Sequence, residues 1–387
     1  MAEDEGGRKE AERLEPCRRV PLVRTLIARK WAPAVIGVGF LVAVSLPMSL
    51  AGILTPPNPD HAGYLTYGRN LSWSLSILVL FPLAVGLTVT YYRAIPGLFR
   101  RLTVDFREQD RTRYRQFLGT ADKVLNPPFL SAVFLLLTLA LNAVYFSQAL
   151  TNEPYGTWIT NGELLKGMLG TPSGFSVAGL LSVVVQVALV YWMTHLVWNA
   201  LVFAWALNRF FRKFGPRVPV RPLHEDGCCG LGRIGDVSMY FNSILFLMGL
   251  YLSLKVIDRI VVQDLPLMHD IGNPVLLGSY AVLAPILFFL PLAAPHRRMK
   301  GVKREFLRPL IEQYAAHVEA IRTGGEDRYE DLAKLDALMQ SLRKRLPVWP
   351  FNVRSMKSFF GAVVTPVLPV ALPFAVKAVV DMLRGVL

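Results

Sequence analysis

Residues 71–92 read LSWSLSILVLFPLAVGLTVTYY, and residues 93–115 read RAIPGLFRRLTVDFREQDRTRYR. The first stretch has no charged side chain, whereas the second has seven arginines. A bilayer core of about 30 Å is crossed by roughly 20 apolar residues in a helix. An uncharged run of that length that stops at a block of arginines therefore predicts a membrane span with its basic flank on the inner side.

The same reading extends along the chain. Apolar runs of spanning length cover residues 32–54, 71–92, 129–150, 175–207, 240–262 and 275–294. The fourth is long enough to overshoot the bilayer. A seventh run, 359–383, contains Pro366, Pro369 and Pro373, each lacking a backbone donor, so a kinked or re-entrant segment is expected there. The predicted fold class is an all-α polytopic transmembrane helical bundle of six spans plus this Pro-broken seventh, with a helical hairpin on the cytoplasmic side. Composition agrees: 53% of the 387 residues are apolar and 18% charged, against about 25% charged in soluble domains.

Charge sets the expected direction. Of the 42 Lys and Arg, 36 fall in residues 1–31, 93–127, 207–239 and 297–357. That asymmetry places those segments in the cytoplasm, with the N-terminus inside, and accounts for the net charge of +14 without a nucleic-acid partner. The first span follows a tail of mixed charge and is too long for a signal core, so it reads as an uncleaved anchor. The organisation expected is a cytoplasmic tail (1–31), a six-span bundle (32–295), a cytoplasmic hairpin (296–357) and a Pro-rich C-terminal segment (358–387). Within the hairpin, Leu307, Leu310, Ile311, Tyr314, Val318 and Ile321 recur at helical spacing, as do Leu332, Leu335, Leu338, Met339, Leu342 and Leu346. Gly324-Gly325 would make the turn, and Pro347 would end the second helix. A further amphipathic helix is expected over 95–118.

Three groups of residues could carry chemistry. Gln186, His195 and Asn199 are polar residues inside the fourth span, and His195 and Asn199 share a helix face. They would line a polar path or bond a neighbouring helix. The loop His224-Glu225-Asp226-Gly227-Cys228-Cys229 precedes the fifth span. Its glycines would permit an anion-holding nest, but the first reading is a structural turn, with Asp226 capping and Gly227 bending the chain. Adjacent cysteines seldom converge on one ion and no Cys-x-x-Cys pair exists, so no metal or other cofactor is expected. The thiols, Cys17 included, are expected to be free in a reducing compartment. At the outer end, the triplets Lys255, Asp258, Arg259 and Lys377, Asp381, Arg384 would snorkel separately to the interface, or a cross-pair of Asp258 with Lys377 would tie the last segment to the bundle. The chain lacks a Gly-x-x-x-x-Gly-Lys-Ser/Thr loop, a His-Glu-x-x-His helix and a Gly-x-Ser-x-Gly elbow.

Residues 223–232 (LHEDGCCGLG), together with 349–352 (WPFN), Phe359-Phe360 and the Pro-rich final segment, resemble a group of bacterial multi-span membrane proteins without a settled activity. That group shares a His-Pro-Asp…Gly-Gly-Leu cytoplasmic loop, a helical hairpin and a Trp-Pro-Phe entry into a Pro-rich end. This chain departs from it at Glu225, where the group has proline, and at Cys229, where it has glycine. The resemblance implies the bacterial cytoplasmic membrane. Three functions remain open. The first is a channel-like or transport protein using Gln186, His195 and Asn199. The second is a membrane-embedded sensor or assembly component acting through cytoplasmic loops and hairpin. The third is a membrane enzyme using the 224–228 cluster, for which no catalytic spacing speaks. The expected partners are the lipid bilayer and a second copy or another membrane protein.

Overall fold

In lipid an apolar segment satisfies its backbone by bonding to itself, and the long elements among the described residues are accordingly helices. The computed structural model describes residue 25 and residues 31–55, 66–104, 106–151, 159, 174–218, 220–222, 224–262, 272–323, 329–350 and 368–386. Nine helices are named here in chain order: α1 (Pro33–Leu54), α2 (Leu71–Leu102), α3 (Glu108–Leu125), α4 (Leu130–Thr151), α5 (Val177–Phe214), α6 (Gly232–Ile257), α7 (Gly272–Arg322), α8 (Tyr329–Arg345) and α9 (Leu368–Val386). Five helices are long and apolar enough to cross a membrane. They are α1, α2, the stretch Glu108–Ala143 that contains most of α4, α5 with its tail, and Val275–Arg322 in α7. The chain is therefore an all-helical protein of membrane-embedded type.

Two sequence expectations change. The helix anticipated over 95–118 is broken. α2 ends at Leu102 with Arg100 and Arg101 in its last turn, and α3 starts with Glu108 and Asp110 in its first. Basic side chains favour a helix C-terminus and acidic ones an N-terminus, so the charges themselves mark the break. Thr103 closes it by donating its hydroxyl to the Phe99 carbonyl (3.0 Å). The hairpin, in turn, has no separate first arm. α7 runs unbroken for 51 residues through Pro285, Pro291, Pro295 and Pro309. At about 1.5 Å per residue it is more than twice as long as a bilayer core, so its second half is the first arm.

α8 packs back along that arm. Leu307 meets it from α7, with Met339 and Leu346 buried on the returning side. Lys303 Nζ donates to the carbonyls of Arg343 (2.7 Å) and Leu346 (2.8 Å), which satisfies the end of α8. α8 stops at Arg345, two residues before Pro347, and Trp349 then stacks on His296 of α7 (4.1 Å between ring centroids). The Gly324-Gly325 turn, Cys17 and most of the N-terminal tail, residues 351–367 and most of the connections 56–65 and 160–173 lie outside the described residues.

α6 is the hub, since α2, α7 and α9 all pack against it. α1 lies antiparallel to α2 at close range. A Cβ on Gly37 would stand 2.7 Å from the Pro82 carbonyl oxygen, and one on Gly86 3.0 Å from that of Pro33. Each helix also has a π turn directly before a proline that follows within two residues, Leu41–Ser45 ahead of Pro47 and Ser76–Leu80 ahead of Pro82. A proline ring collides with the carbonyl four residues back, and the wider turn relieves that collision. At the arginine-rich end, α3 closes the bundle through aromatic packing. Phe106 stacks on Phe210 (6.1 Å, 9° between planes), and Phe117 packs against Phe210 at 5.9 Å. Arg217 pairs with Asp110 at 2.8 Å across the same junction.

Candidate functional site

The loop between α5 and α6 is built around one carboxylate. Asp226 Oδ1 accepts from the amides of Cys228 (2.8 Å) and Gly230 (3.0 Å), and Oδ2 accepts from Gly232 at 3.0 Å. Three positive φ values make that wrap feasible: Gly227 at 63°, Cys229 at 57° and Gly230 at 83°. The first and last are glycines, for which this region carries no Cβ penalty. The loop closes with the Arg221 amide donating to the Cys229 carbonyl at 3.1 Å. The loop amides thus enclose the chain's own carboxylate, as the structural turn would have it and not the anion nest, and Asp226 also caps the first residue of α6. Burial alone would raise the Asp226 carboxyl. The amides of Gly230, Cys228 and Gly232, with His224 nearby, outweigh it and hold the group below the ordinary carboxylate range. His224 Nδ1 lies 3.0 Å from Oδ1, as a donor when the ring is protonated, and 3.2 Å from the Asp226 amide, as its acceptor when neutral.

Cys228 and Cys229 are free thiols, both buried. Burial, with Asp226 and other anionic neighbours, pushes Cys228 up to about 12. Burial and Asp226 raise Cys229 as well, although Lys303 opposes them. Both therefore remain thiols at neutral pH, the reverse of the low-pKa state that nucleophilic and metal-binding cysteines need. Among the described residues no group of three or more His, Cys, Asp or Glu converges as metal ligands would.

Beside this loop lies a cavity of about 420 Å³. Its walls come from three places: the last turns of α2 (Leu98, Arg101, Leu102), the loop (Val218, His224, Asp226) and the first turns of α6 (Arg233, Asp236, Met239). Arg233 sits 3.6 Å from Asp236. Of the loop residues singled out from sequence, His224, Asp226 and Cys228 line the cavity, while Glu225 is exposed beyond it and Cys229 packs into the core. Arg101, Arg233 and Asp236 were not legible as site residues, because in sequence they are indistinguishable from the basic and acidic residues expected to flank spans.

The polar residues of α5 sit in a packed interior. His195 is 5% exposed and held edge-on between Phe134 (4.9 Å) and Tyr191 (4.7 Å), and its Nε2 has no hydrogen-bond partner among the described residues. Asn199 donates to the Tyr92 hydroxyl at 2.9 Å, joining α5 to α2. The void beside Asn199 measures only about 10 Å³, barely room for one water. Gln186 is half-buried more than two turns earlier on α5. The structure thus brings His195 and Asn199 onto one face, and the described residues around Asn199 leave only that small void.

The outer-end pair needs correction. Asp258 does not bind Lys377. Its two oxygens are taken by the backbone amides of Leu71 (2.9 Å) and Ser72 (2.7 Å), while Lys377 lies 3.4 Å from Asp381, one turn along α9. An aligned pair of amides at a helix start satisfies a buried carboxylate with two directed bonds, which one flexible ammonium does not.

Fold and site together define a multi-helix membrane-type protein with a polar, charged cavity between the arginine-rich end of α2 and the start of α6. Comparison with protein-family models, curated proteins and solved structures finds no match to this chain.

Proposed function

We propose that the chain is a multi-pass protein of the bacterial cytoplasmic membrane, N-terminus inside, working as a sensor or assembly component through its cytoplasmic face. The observation that carries this is where space occurs. A cavity of about 420 Å³ lies at the arginine-rich end, whereas the bundle around His195 and Asn199 is packed. A transport path through α5 would need the reverse. The hairpin of α7 and α8 projects from the same end and offers a surface for a second copy or a membrane partner.

Six spans follow if α6 crosses as well. It has 26 residues, continues through a π turn (Asp258–Val262), and is sheathed by protein on several sides. α9 has 19 residues, about 28 Å at helical rise, which is long enough to make a seventh. The bacterial setting rests on the resemblance carried by residues 223–232 and 349–352.

Two experiments test the reading. In a Cys17→Ser background, Asp236→Cys should react with a membrane-impermeant thiol reagent in inside-out vesicles and not in intact cells; labelling of intact cells would reverse the orientation. In a deletion strain complemented by variants, Arg101→Glu should abolish rescue while His195→Leu and Asn199→Leu retain it. Rescue lost only with the α5 substitutions would restore the transport reading.

A further inference from the structure

We infer that the cavity between the end of α2 and the start of α6 binds a phosphate group, presented by an anionic phospholipid headgroup or by a soluble phosphate ester. The inference rests on the cytoplasmic reading above and names the ligand class of that site.

Both carboxylates in the walls are already engaged. Asp226 is wrapped by three amides, and Asp236 stands against Arg233. Arg101 is different: among the described residues its guanidinium has neither an ion pair nor a hydrogen-bond partner, yet it lines the cavity. Arg233 lies 3.6 Å from Asp236, and its guanidinium carries five donors, so it keeps that partner and has others to offer the cavity. The start of α6 forms part of the same wall, with its first amide taken by Asp226. Two guanidiniums lining one cavity favour an anion, and a planar fork matches phosphate oxygens in pairs.

The rest of the lining fits an amphiphile. Leu98, Leu102 and Met239 give one side of the cavity an apolar surface. The volume lies in the range of small-molecule sites. Basic pockets between spans on the cytoplasmic side are where acidic headgroups bind.

The test uses the purified full-length chain in detergent, with native mass spectrometry reading retained lipid. Phosphatidylglycerol is offered against phosphatidylcholine, with and without inorganic phosphate as competitor. Wild type should retain phosphatidylglycerol preferentially. Arg101→Gln should cut that retention about tenfold, the equivalent of one charge-assisted pair. Arg113→Gln, at an exposed arginine outside the cavity, should leave it unchanged. Retention resistant to phosphate identifies a lipid headgroup, and retention displaced by phosphate identifies a soluble ester; either supports the phosphate site. Met239→Trp, which fills the cavity while keeping both arginines, should act like Arg101→Gln and serves if that variant does not fold. Equal retention of the two lipids, or retention indifferent to Arg101→Gln and Met239→Trp, overturns the inference. The Asp236→Cys labelling reads orientation independently, so a failed lipid preference with inside labelling rejects the ligand and leaves the cytoplasmic reading standing.

Discussion

Asp258, at the end of α6, accepts the Ser72 amide at 2.7 Å and thereby caps a helix that begins 187 residues earlier in the chain. The second oxygen takes the Leu71 amide, and Asn70 takes the next one, accepting from Trp73 at 3.1 Å. The amide of Asn70, the N-cap, donates to the Thr66 carbonyl at 3.0 Å. The first four amides of α2, counted from its N-cap, which no helix can satisfy internally, are therefore all bonded. The carboxylate also faces the positive end of the α2 dipole.

Removing that cap should cost stability. Asp258→Ala leaves two buried amides without acceptors and is expected to destabilise the protein by about 2 kcal/mol, within the range for lost caps and orphaned donors. Asp258→Asn keeps one acceptor and should fall between the two. Thermal unfolding in detergent reads the order, and an Asn variant less stable than the Ala variant would contradict it.

The Asp226 loop should respond to acid. Its folded carboxyl titrates below the unfolded value of about 3.9, so its contribution is full above that value and disappears as pH falls through the lower folded value. Asp226→Asn should therefore narrow its stability gap from wild type as pH is lowered across that window. Gly230→Ala, at φ 83°, should destabilise at every pH by about 1–2 kcal/mol, because it places a Cβ in left-handed backbone. Unfolding curves at a series of acidic pH values separate the two behaviours.

Buried thiols with raised pKa should be slow to alkylate. In a Cys17→Ser background, Cys228 and Cys229 are expected to resist iodoacetamide in the folded protein at pH values where an ordinary thiol, near about 8.5, reacts readily. Both should label fully after denaturation. Rapid labelling of the folded protein, followed by mass spectrometry, would place a thiolate where burial forbids one.

The Asn199–Tyr92 bond joins two helices inside the bundle. Such bonds average about 0.6 kcal/mol between membrane helices. Asn199→Leu and Tyr92→Phe each remove this same bond, so the double variant should cost less than the two single costs added. Strict additivity in unfolding free energies would mean that the two groups do not depend on each other.

How much of this could be read in advance differs from residue to residue. The apolar runs of α1, α2, α4, α5 and α7 were legible because lipid demands length and lack of charge, properties that a linear string carries completely. Asp226 was also legible as a cap, because its amide partners lie two to six residues away. Asp258 was not. Its amide partners lie 186 and 187 residues distant, and sequence offered only Lys377 or the interface for its charge. Arg101 was hidden for another reason: one arginine in a basic flank looks like every other until the fold brings it to the same cavity as Arg233.

Local order in the chain therefore decided that this protein is a set of greasy helices joined by basic connections, and where most of those helices run. Helical hydrogen bonding and the cost of burying charge act within about a turn or along one segment. Which carboxylate caps which helix, which polar groups are sealed into the interior, and where a cavity is left came only from packing. They depend on distances between segments far apart in the chain, and no property of the single segments contains those distances.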